Sequence, residues 1–291
     1  MIIACIPAYN EERMISDIIH RAKKFVDKVI VCDDGSSDNT VQNAKQAGAE
    51  VIQHQKNCGK GAAMKSLFKY AKQIDADITV TLDGDGQFLP EEIPKLIAPV
   101  IEKKSDIVIG FRFDDKTEMP SYRRIGNKLL DKVTNIAVDL PVRDSQSGFR
   151  AYSKKAVDMI NFSTDGFGAD SEILINAAKS GLIISEVKAT VIYNTGGRTS
   201  TKNPVSHFTI VITSIIEQIA LDHPLRYLGI PGIIFLIIGI IYSVIVITIF
   251  NDVRYFSIPS TLVAIGTLIT GLMFLLMSVV LFAIGRILRR P

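Results

Sequence analysis

Residues 2–6 form an unbroken apolar run, which reads as a strand buried on both faces of a parallel sheet. Behind it, Met14, Ile15, Ile18, Ile19 and Ala22 recur on one face of a helix that Glu11 and Glu12 open and Asn10 is expected to cap. Further strands are predicted at residues 29–32, 51–52, 78–82 and 107–110. The turn at 33–36 leads into a helix capped by Ser37 or Asp38 and ended by Gly48, and another helix covers 62–72. Pro99, inside an otherwise helical stretch, predicts a break there. Alternation of this kind makes an open α/β sheet with parallel strands. Beyond it the pattern loosens. Helices are expected at 123–138 and 172–179. From Val205, apolar residues at Phe208, Ile212, Ile215 and Ile219 form one stripe, which fits a helix in a membrane interface or one packed on the domain core.

The last quarter differs. No residue is charged from 227 to 250 or from 255 to 285, and each run exceeds the roughly 20 residues a helix needs to cross a bilayer core. Asn251, Asp252, Val253 and Arg254 join the runs as a tight hairpin. Arg286, Arg289 and Arg290 follow the second run, and the positive-inside rule places them, and hence the N-terminal part, in the cytoplasm. The start of the chain has no basic leader and too short an apolar run for a signal peptide. The expected organisation is a domain at 1–203, an amphipathic interfacial helix at 204–225, and a multi-pass membrane segment at 226–291 with spans near 227–250 and 256–285. Gly229, Gly232, Gly239, Gly266 and Gly271 would permit the close helix contacts of a homo-oligomer.

Charge adds an exclusion. The chain carries 33 basic and 30 acidic residues. After Leu225 the basic ones are Arg226, Arg254, Arg286, Arg289 and Arg290, against Asp252 alone, so the soluble part is near neutral. A nucleic-acid partner would call for a basic excess there. Cys5, Cys32 and Cys58 lack paired zinc-ligand spacing and suit a reducing cytosol; Cys5 and Cys32 read as core. His20, His54, His207 and His223 show no metal-ligand spacing and read as structural or interfacial.

Candidate chemistry sits at strand ends, where open α/β sheets bind ligands. Pro7-Ala8-Tyr9-Asn10-Glu11 follows the first strand, Asp33-Asp34-Gly35-Ser36 the second, and Asp83-Gly84-Asp85-Gly86-Gln87 the fourth. Any one of these is compatible with a plain turn; three at one sheet edge point to a site. The third offers several hard oxygens on a short loop, which suits Mg²⁺ or Mn²⁺ shared with substrate phosphates. A P-loop and a dinucleotide-binding Gly-x-Gly-x-x-Gly after the first strand are absent from the sequence. Lys60, in Asn57-Cys58-Gly59-Lys60-Gly61, reads as a loop residue that is solvated or binds phosphate.

The ordered set of three clusters resembles the family-2 glycosyltransferases of the GT-A fold. Gly110-Phe111-Arg112, Tyr122-Arg123-Arg124 and Asp144-Ser145-Gln146-Ser147-Gly148-Phe149 look like the polyprenyl-phosphate branch, which includes dolichyl-phosphate mannose and glucose synthases. The resemblance covers about the first two hundred residues, and the two-helix tail is similar to members of that branch. It implies a mixed GT-A sheet flanked by helices. It also implies transfer of mannose or glucose from GDP-mannose or UDP-glucose to a polyprenyl phosphate. Pro7, Tyr9 and Glu11 would line the base and ribose, with Asp34 and the Cys32 backbone beside them. Asp83 and Gly84 would face the donor, and Asp85 and Gln87 would hold the metal. Arg112 and either Arg123 or Arg124 would bind phosphates, Glu172 would lie near the sugar, and Arg198 and Lys202 would grip the lipid phosphate. The alternatives are another acceptor (a polysaccharide or glycolipid) and a non-catalytic membrane scaffold. A processive synthase would usually carry Gln-x-x-Arg-Trp, and the chain has no Trp.

Overall fold

The computed structural model describes residues 1–112, 142–166, 168–192 and 224–288. The chain divides into two units, Met1–Ile215 and Ile216–Pro291. The first is a seven-stranded sheet between two helical layers. Its strands are β1 (Ile2–Ala8), β2 (Lys28–Asp33), β3 (Glu50–Gln53), β4 (Ile78–Thr81), β5 (Ile107–Phe111), β6 (Arg150–Ser153) and β7 (Ile184–Lys188), in the order β3-β2-β1-β4-β6-β5-β7. All neighbours pair in parallel except β6, which runs antiparallel to both β4 and β5. The sheet is therefore mixed rather than wholly parallel. Its first four strands match the expected alternation, while β6 and β7 carry too few apolar residues to stand out.

The helices are α1 (Ile15–Ala22), α2 (Thr40–Gln46), α3 (Lys60–Gln73), α4 (Ile93–Ile101), α5 (Lys154–Met159) and α6 (Ala169–Lys179). Alternation along β1 divides the core: Ile3 and Cys5 face α3, α5 and α6, whereas Ala4, Ile6 and Ala8 face α1, α2 and α4. Both faces are buried, which explains the unbroken apolar run. Cys5 and Cys32 lie in this core as expected.

Local signals fared unevenly. Gly48, at φ +81°, follows the end of α2 as expected. Asp38 accepts the Thr40 N–H at 3.0 Å at its start. Asn10 does not cap α1: it takes φ +58°, its Oδ1 accepts the Ser37 N–H at 2.9 Å, and α1 begins later, at Ile15. Pro99 lies in the last turn of α4, which runs two residues past it instead of breaking there. Its missing N–H removes one ladder donor, that for the Lys95 carbonyl, and the carbonyls of Ala98, Pro99 and Val100 still find donors in residues 102–104.

The second unit holds α7 (Ile230–Val253), preceded by a π-helical turn at Leu225–Gly229, and α8 (Ile258–Leu288). Both are long and apolar enough to cross a membrane, and little of either is buried within the chain. Ile233, Ile237, Ile240 and Ile247 of α7 stand about half exposed or more, as do Leu262, Leu272 and Met273 of α8. So much outward apolar surface suits a lipid solvent. Gly232, Gly239 and Gly271 seat one helix on the other. A Cβ on Gly239 would lie 2.6 Å from Leu268 Cγ, and one on Gly271 would lie 2.7 Å from the Leu236 nitrogen. Gly266 meets nothing within 4 Å. Of the expected interfacial helix, 204–223 lie outside the described residues.

Leu67, fully buried in α3, tests the first unit's core. Leu67→Ala is expected to cost about 2–5 kcal/mol, read as a lower denaturation midpoint by circular dichroism of the full chain in detergent.

Candidate active site

The carboxyl ends of β1, β2 and β4 bring the three polar clusters to one edge. The loop after β1 is laced to the loop after β2: Asn10 N–H donates to Ser36 Oγ at 2.8 Å, Glu11 N–H to Thr40 Oγ1 at 2.8 Å, and Glu12 N–H to Asp38 Oδ2 at 3.2 Å. The loop after β4 lies against β1, since a Cβ on Gly84 would sit 3.4 Å from both Glu11 Cγ and the Pro7 carbonyl oxygen. Pro7 lies in β1 and Tyr9 is exposed beyond it. Gly86 turns the β4 loop at φ +75°, and Gln87 N–H donates to Asp85 Oδ1 at 3.0 Å. On the far side Asp83 meets Gly148, where a Cβ would press on both carboxylate oxygens. Thr81 Oγ1 donates to the Gly148 carbonyl at 2.8 Å.

Electrostatics divide these carboxylates. Lys60 opens α3, and its Nζ lies 2.9 Å from Asp83 Oδ1 and 3.0 Å from Asp170 Oδ2. It is thus a largely buried, paired cation and not a solvated loop residue. Burial alone would raise the Asp83 carboxyl, but Lys60, with Arg112 and Arg150 further off, holds it below the ordinary range. Asp85 shows the reverse: burial, then the Asp83 charge, push it up to about 6. Burial, then the charges of Asp85, Asp83 and Asp38, push Glu11 up to about 8. Hard oxygens that repel one another in this way fit a hard divalent cation such as Mg²⁺ or Mn²⁺.

Arg112 ends the β5 segment. Its Nε and Nη2 make a fork on Asp144, at 2.7 and 2.8 Å, and its N–H also donates to Asp144 Oδ2 at 3.1 Å. Asp144 is fully buried, so the pair is no casual surface contact. Arg150, also fully buried, donates to the carbonyls of Ser147, Asp170 and Ser145 at 2.8, 3.0 and 2.7 Å. It fixes the 145–148 loop against the start of α6. The sequence reading passed over Arg150 because its partners are backbone carbonyls, which no motif records.

Glu172 turns to the backbone: it accepts the N–H groups of Ser163 and Thr164 at 2.9 and 2.8 Å. The α6 carboxylate joined to Asp83, through Lys60, is Asp170. Arg123, Arg124, Arg198 and Lys202 lie outside the described residues.

Asp34, at the end of β2, is buried and bonded to His54 Nδ1 at 2.8 Å, while Cys32 Sγ lies 3.6 Å from His54 Nε2. Asp34, His54 and Cys58 also offer metal-ligating atoms within 4.8 Å of one another. Sequence spacing hid this group because Asp34 follows β2 while His54 and Cys58 lie in the connection between β3 and α3. Its mixed oxygen, nitrogen and sulfur set is softer than the Asp83–Asp85 oxygens and suits Mg²⁺ or Mn²⁺ less well.

The family model described as glycosyl transferase family 2 matches residues 3–160. A UDP-N-acetylglucosamine–dolichyl-phosphate N-acetylglucosaminyltransferase of Methanococcus voltae is 35% identical over 66% of this chain and 86% of its own length. A dolichyl-phosphate hexose transferase of Haloferax volcanii is 31% identical over 62% of this chain and 77% of its own. Among solved structures, glucosyl-3-phosphoglycerate synthase of Mycobacterium tuberculosis in complex with Mn²⁺, UDP and phosphoglyceric acid superposes with a TM-score of 0.59. It is 23% identical, covering 75% of this chain and 78% of that one, and shares the fold.

A carboxyl whose pKa rises on folding holds more protons folded than unfolded between the two values, so stability falls as pH climbs through that window. For Glu11 the window runs from 4.5 to about 8. The metal-free protein is therefore expected to melt at a lower temperature near the top of this window than near its bottom. Mn²⁺ should raise the melting temperature most at the top. Differential scanning fluorimetry with and without Mn²⁺ checks both; a metal effect that is larger near the bottom would contradict the reading.

Proposed function

This chain belongs to glycosyl transferase family 2, and from that premise we propose that it transfers a hexose, mannose or glucose, from a nucleotide sugar to a polyprenyl phosphate at the cytoplasmic membrane face. The carrying observation is the Asp83–Asp85 loop, packed against Glu11 and within the electrostatic influence of Arg112, in a chain that also bears an apolar helical hairpin. Relatives named for dolichyl phosphate or undecaprenyl phosphate support the acceptor class. The arginines after the second span support a cytoplasmic domain and C-terminus in a multi-pass topology.

The reaction is an inverting displacement. An oxygen of the acceptor phosphate attacks the anomeric carbon, the bond from that carbon to the diphosphate oxygen breaks, and the electron pair leaves on the nucleoside diphosphate. The attacking oxygen is anionic at neutral pH, so no strong general base is required. Pro7, Tyr9, Glu11, Asp34 and the Cys32 backbone hold base and ribose. Asp83, its charge balanced by Lys60, faces the donor. Asp85 and Gln87 hold Mg²⁺ or Mn²⁺, which supplies charge neutralisation for the departing diphosphate. Arg112, with Arg123 or Arg124, and then Arg198 and Lys202, hold the phosphates in line. Glu172 supports the sugar pocket through the Ser163–Thr164 backbone it grips.

Offered GDP-mannose, UDP-glucose and UDP-N-acetylglucosamine with polyprenyl phosphate and Mn²⁺, the purified chain is expected to form glycolipid from one donor. Asp85→Ala should lose metal-dependent transfer by at least about 10²-fold, the scale for removing an electrostatic stabiliser of the transition state. Full activity in that variant would remove the metal assignment, and nucleotide binding without any glycolipid product would move the acceptor to a polysaccharide.

A further inference from the structure

One closed ring of contacts sets both oxygens of the Asp83 carboxylate. On one side Asp83 Oδ1 lies 2.9 Å from Lys60 Nζ, and the same ammonium lies 3.0 Å from Asp170 Oδ2. Asp170 continues the ring through its backbone, since its carbonyl accepts Arg150 Nη1 at 3.0 Å. Arg150 carries it on to the 145–148 loop, with Nε on the Ser147 carbonyl at 2.8 Å and Nη2 on the Ser145 carbonyl at 2.7 Å. Gly148 follows Ser147 and closes the ring, for a Cβ there would overlap Asp83 Oδ2. Two cross-ties stiffen it. Thr81 Oγ1 donates to the Gly148 carbonyl at 2.8 Å, and Gln146 Nε2 donates to Ser171 Oγ at 2.6 Å, next to Asp170. Asp83 is the most open of the three charged partners: its side chain is 29% exposed, against 16% for Lys60 and 7% for Asp170. No strand-end motif contains Asp170; the fold alone brings it to the site.

We propose that Asp170 is a positioning residue for sugar transfer: its side chain holds Lys60 against one oxygen of Asp83, and its carbonyl, through Arg150, holds Gly148 against the other. The inference rests on the reading that Asp83 faces the sugar donor. Asp170 is all but closed to solvent and acts through Lys60, not on the donor. A carboxylate free to turn presents its oxygens over a range of directions, whereas one pinned from both sides presents a single direction. A fully satisfied polar network is rigid, and cutting it at one member loosens the others. Asp170→Asn makes that cut. The side chain keeps its shape and its carbonyl still meets Arg150, but Lys60 loses one of its two countercharges. The base, ribose and diphosphate contacts assigned above do not pass through Asp170, so the donor should still bind and the loss should fall on turnover.

Hydrogen exchange by mass spectrometry and steady-state kinetics, both on the full chain in detergent, test this. In Asp170→Asn, exchange is expected to speed up in residues 82–88 and 144–149 together, and not in α1 or α2. Unchanged exchange in both segments overturns the proposal, whether or not the chain makes glycolipid. Should that variant not fold, the double variant Lys60→Met/Asp170→Asn, which buries neither charge, serves for the same reading. With the donor that yields glycolipid, kcat is expected to fall about 10- to 100-fold while donor KM stays within about threefold. Full activity, or a loss confined to KM, overturns the proposal. Lys60→Met separates positioning from folding. In that background Asp170 is a buried charge without its cation. Asp170→Asn should there raise the melting temperature that it lowers in the unaltered chain, and should change kcat by no more than about twofold. A second, multiplying loss of kcat in the double variant would make Asp170 act on the substrate directly and overturn the positioning role. The two readings fail separately. No glycolipid from the unaltered chain would remove the acceptor assignment and leave the exchange result to decide the inference, whereas glycolipid made equally well by Asp170→Asn would remove the inference alone.

Discussion

One buried ammonium organises the site. Lys60 sits between Asp83 and Asp170, and desolvating a cation there is tolerable only because both carboxylates hold it. Burial would lower its pKa, but the charges of Asp170 and Asp83 win and raise it. The consequence is mechanical as well as electrical. Lys60 begins α3, Asp83 lies in the loop after β4 and Asp170 lies in the first turn of α6, so one side chain ties three segments together at one edge of the sheet. Around it the backbone is close-packed. A Cβ on Gly61 would lie 2.8 Å from the Asp165 carbonyl carbon, and Ala62 N–H donates to the Asp165 carbonyl at 3.2 Å. Glu172 holds Ser163 and Thr164, the residues just before that contact. Through this backbone contact Glu172 helps set where Lys60, and through it Asp83, is held.

That arrangement separates two kinds of acid at one edge. Asp83 is balanced by its cation and stays ionised. Burial first, and the neighbouring carboxylate charges second, raise the proton affinity of Asp85 and Glu11. The part of that rise which comes from neighbouring carboxylates is also the part that a hard cation would relieve. Neighbouring aspartates in one motif thus acquire different tasks from their surroundings, which the motif alone does not distinguish.

Legibility in the sequence followed the range of the interactions. The buried strands β1, β2 and β4, the three strand-end clusters and the two apolar spans are written in contiguous residues, and each was readable. What escaped was set by partners far apart in the chain. Lys60 meets Asp170 across 110 positions, and nothing near residue 60 announces it. Arg150 is spent on carbonyls of its surroundings, and His54 joins Asp34 across 20 positions. Asn10 shows the opposite error: a residue with good capping chemistry was claimed by the neighbouring loop, because Ser37 N–H offered its side chain a tertiary partner. β6 was missed because a four-residue antiparallel strand with Arg150 in it has no apolar run to detect.

The charge balance also constrains how the proposed chemistry is divided. A leaving diphosphate and an attacking phosphate are both anions, and a carboxylate-rich edge repels them unless each has its own cation. Lys60 is committed to Asp83 and Asp170. Arg112 is shared with Asp144 through a bidentate fork, which orients the guanidinium but draws on its charge. On the proposed reading, Asp85 and Gln87 would hold the cation that balances the diphosphate. The acceptor phosphate would draw on further cations, the role proposed for Arg123 or Arg124 with Arg198 and Lys202. An acceptor that joins such a phosphate to a long apolar chain needs both that cationic grip and a hydrophobic medium for its tail. If the α/β unit binds anions as proposed, that unit and the bilayer-length apolar hairpin would between them meet both needs.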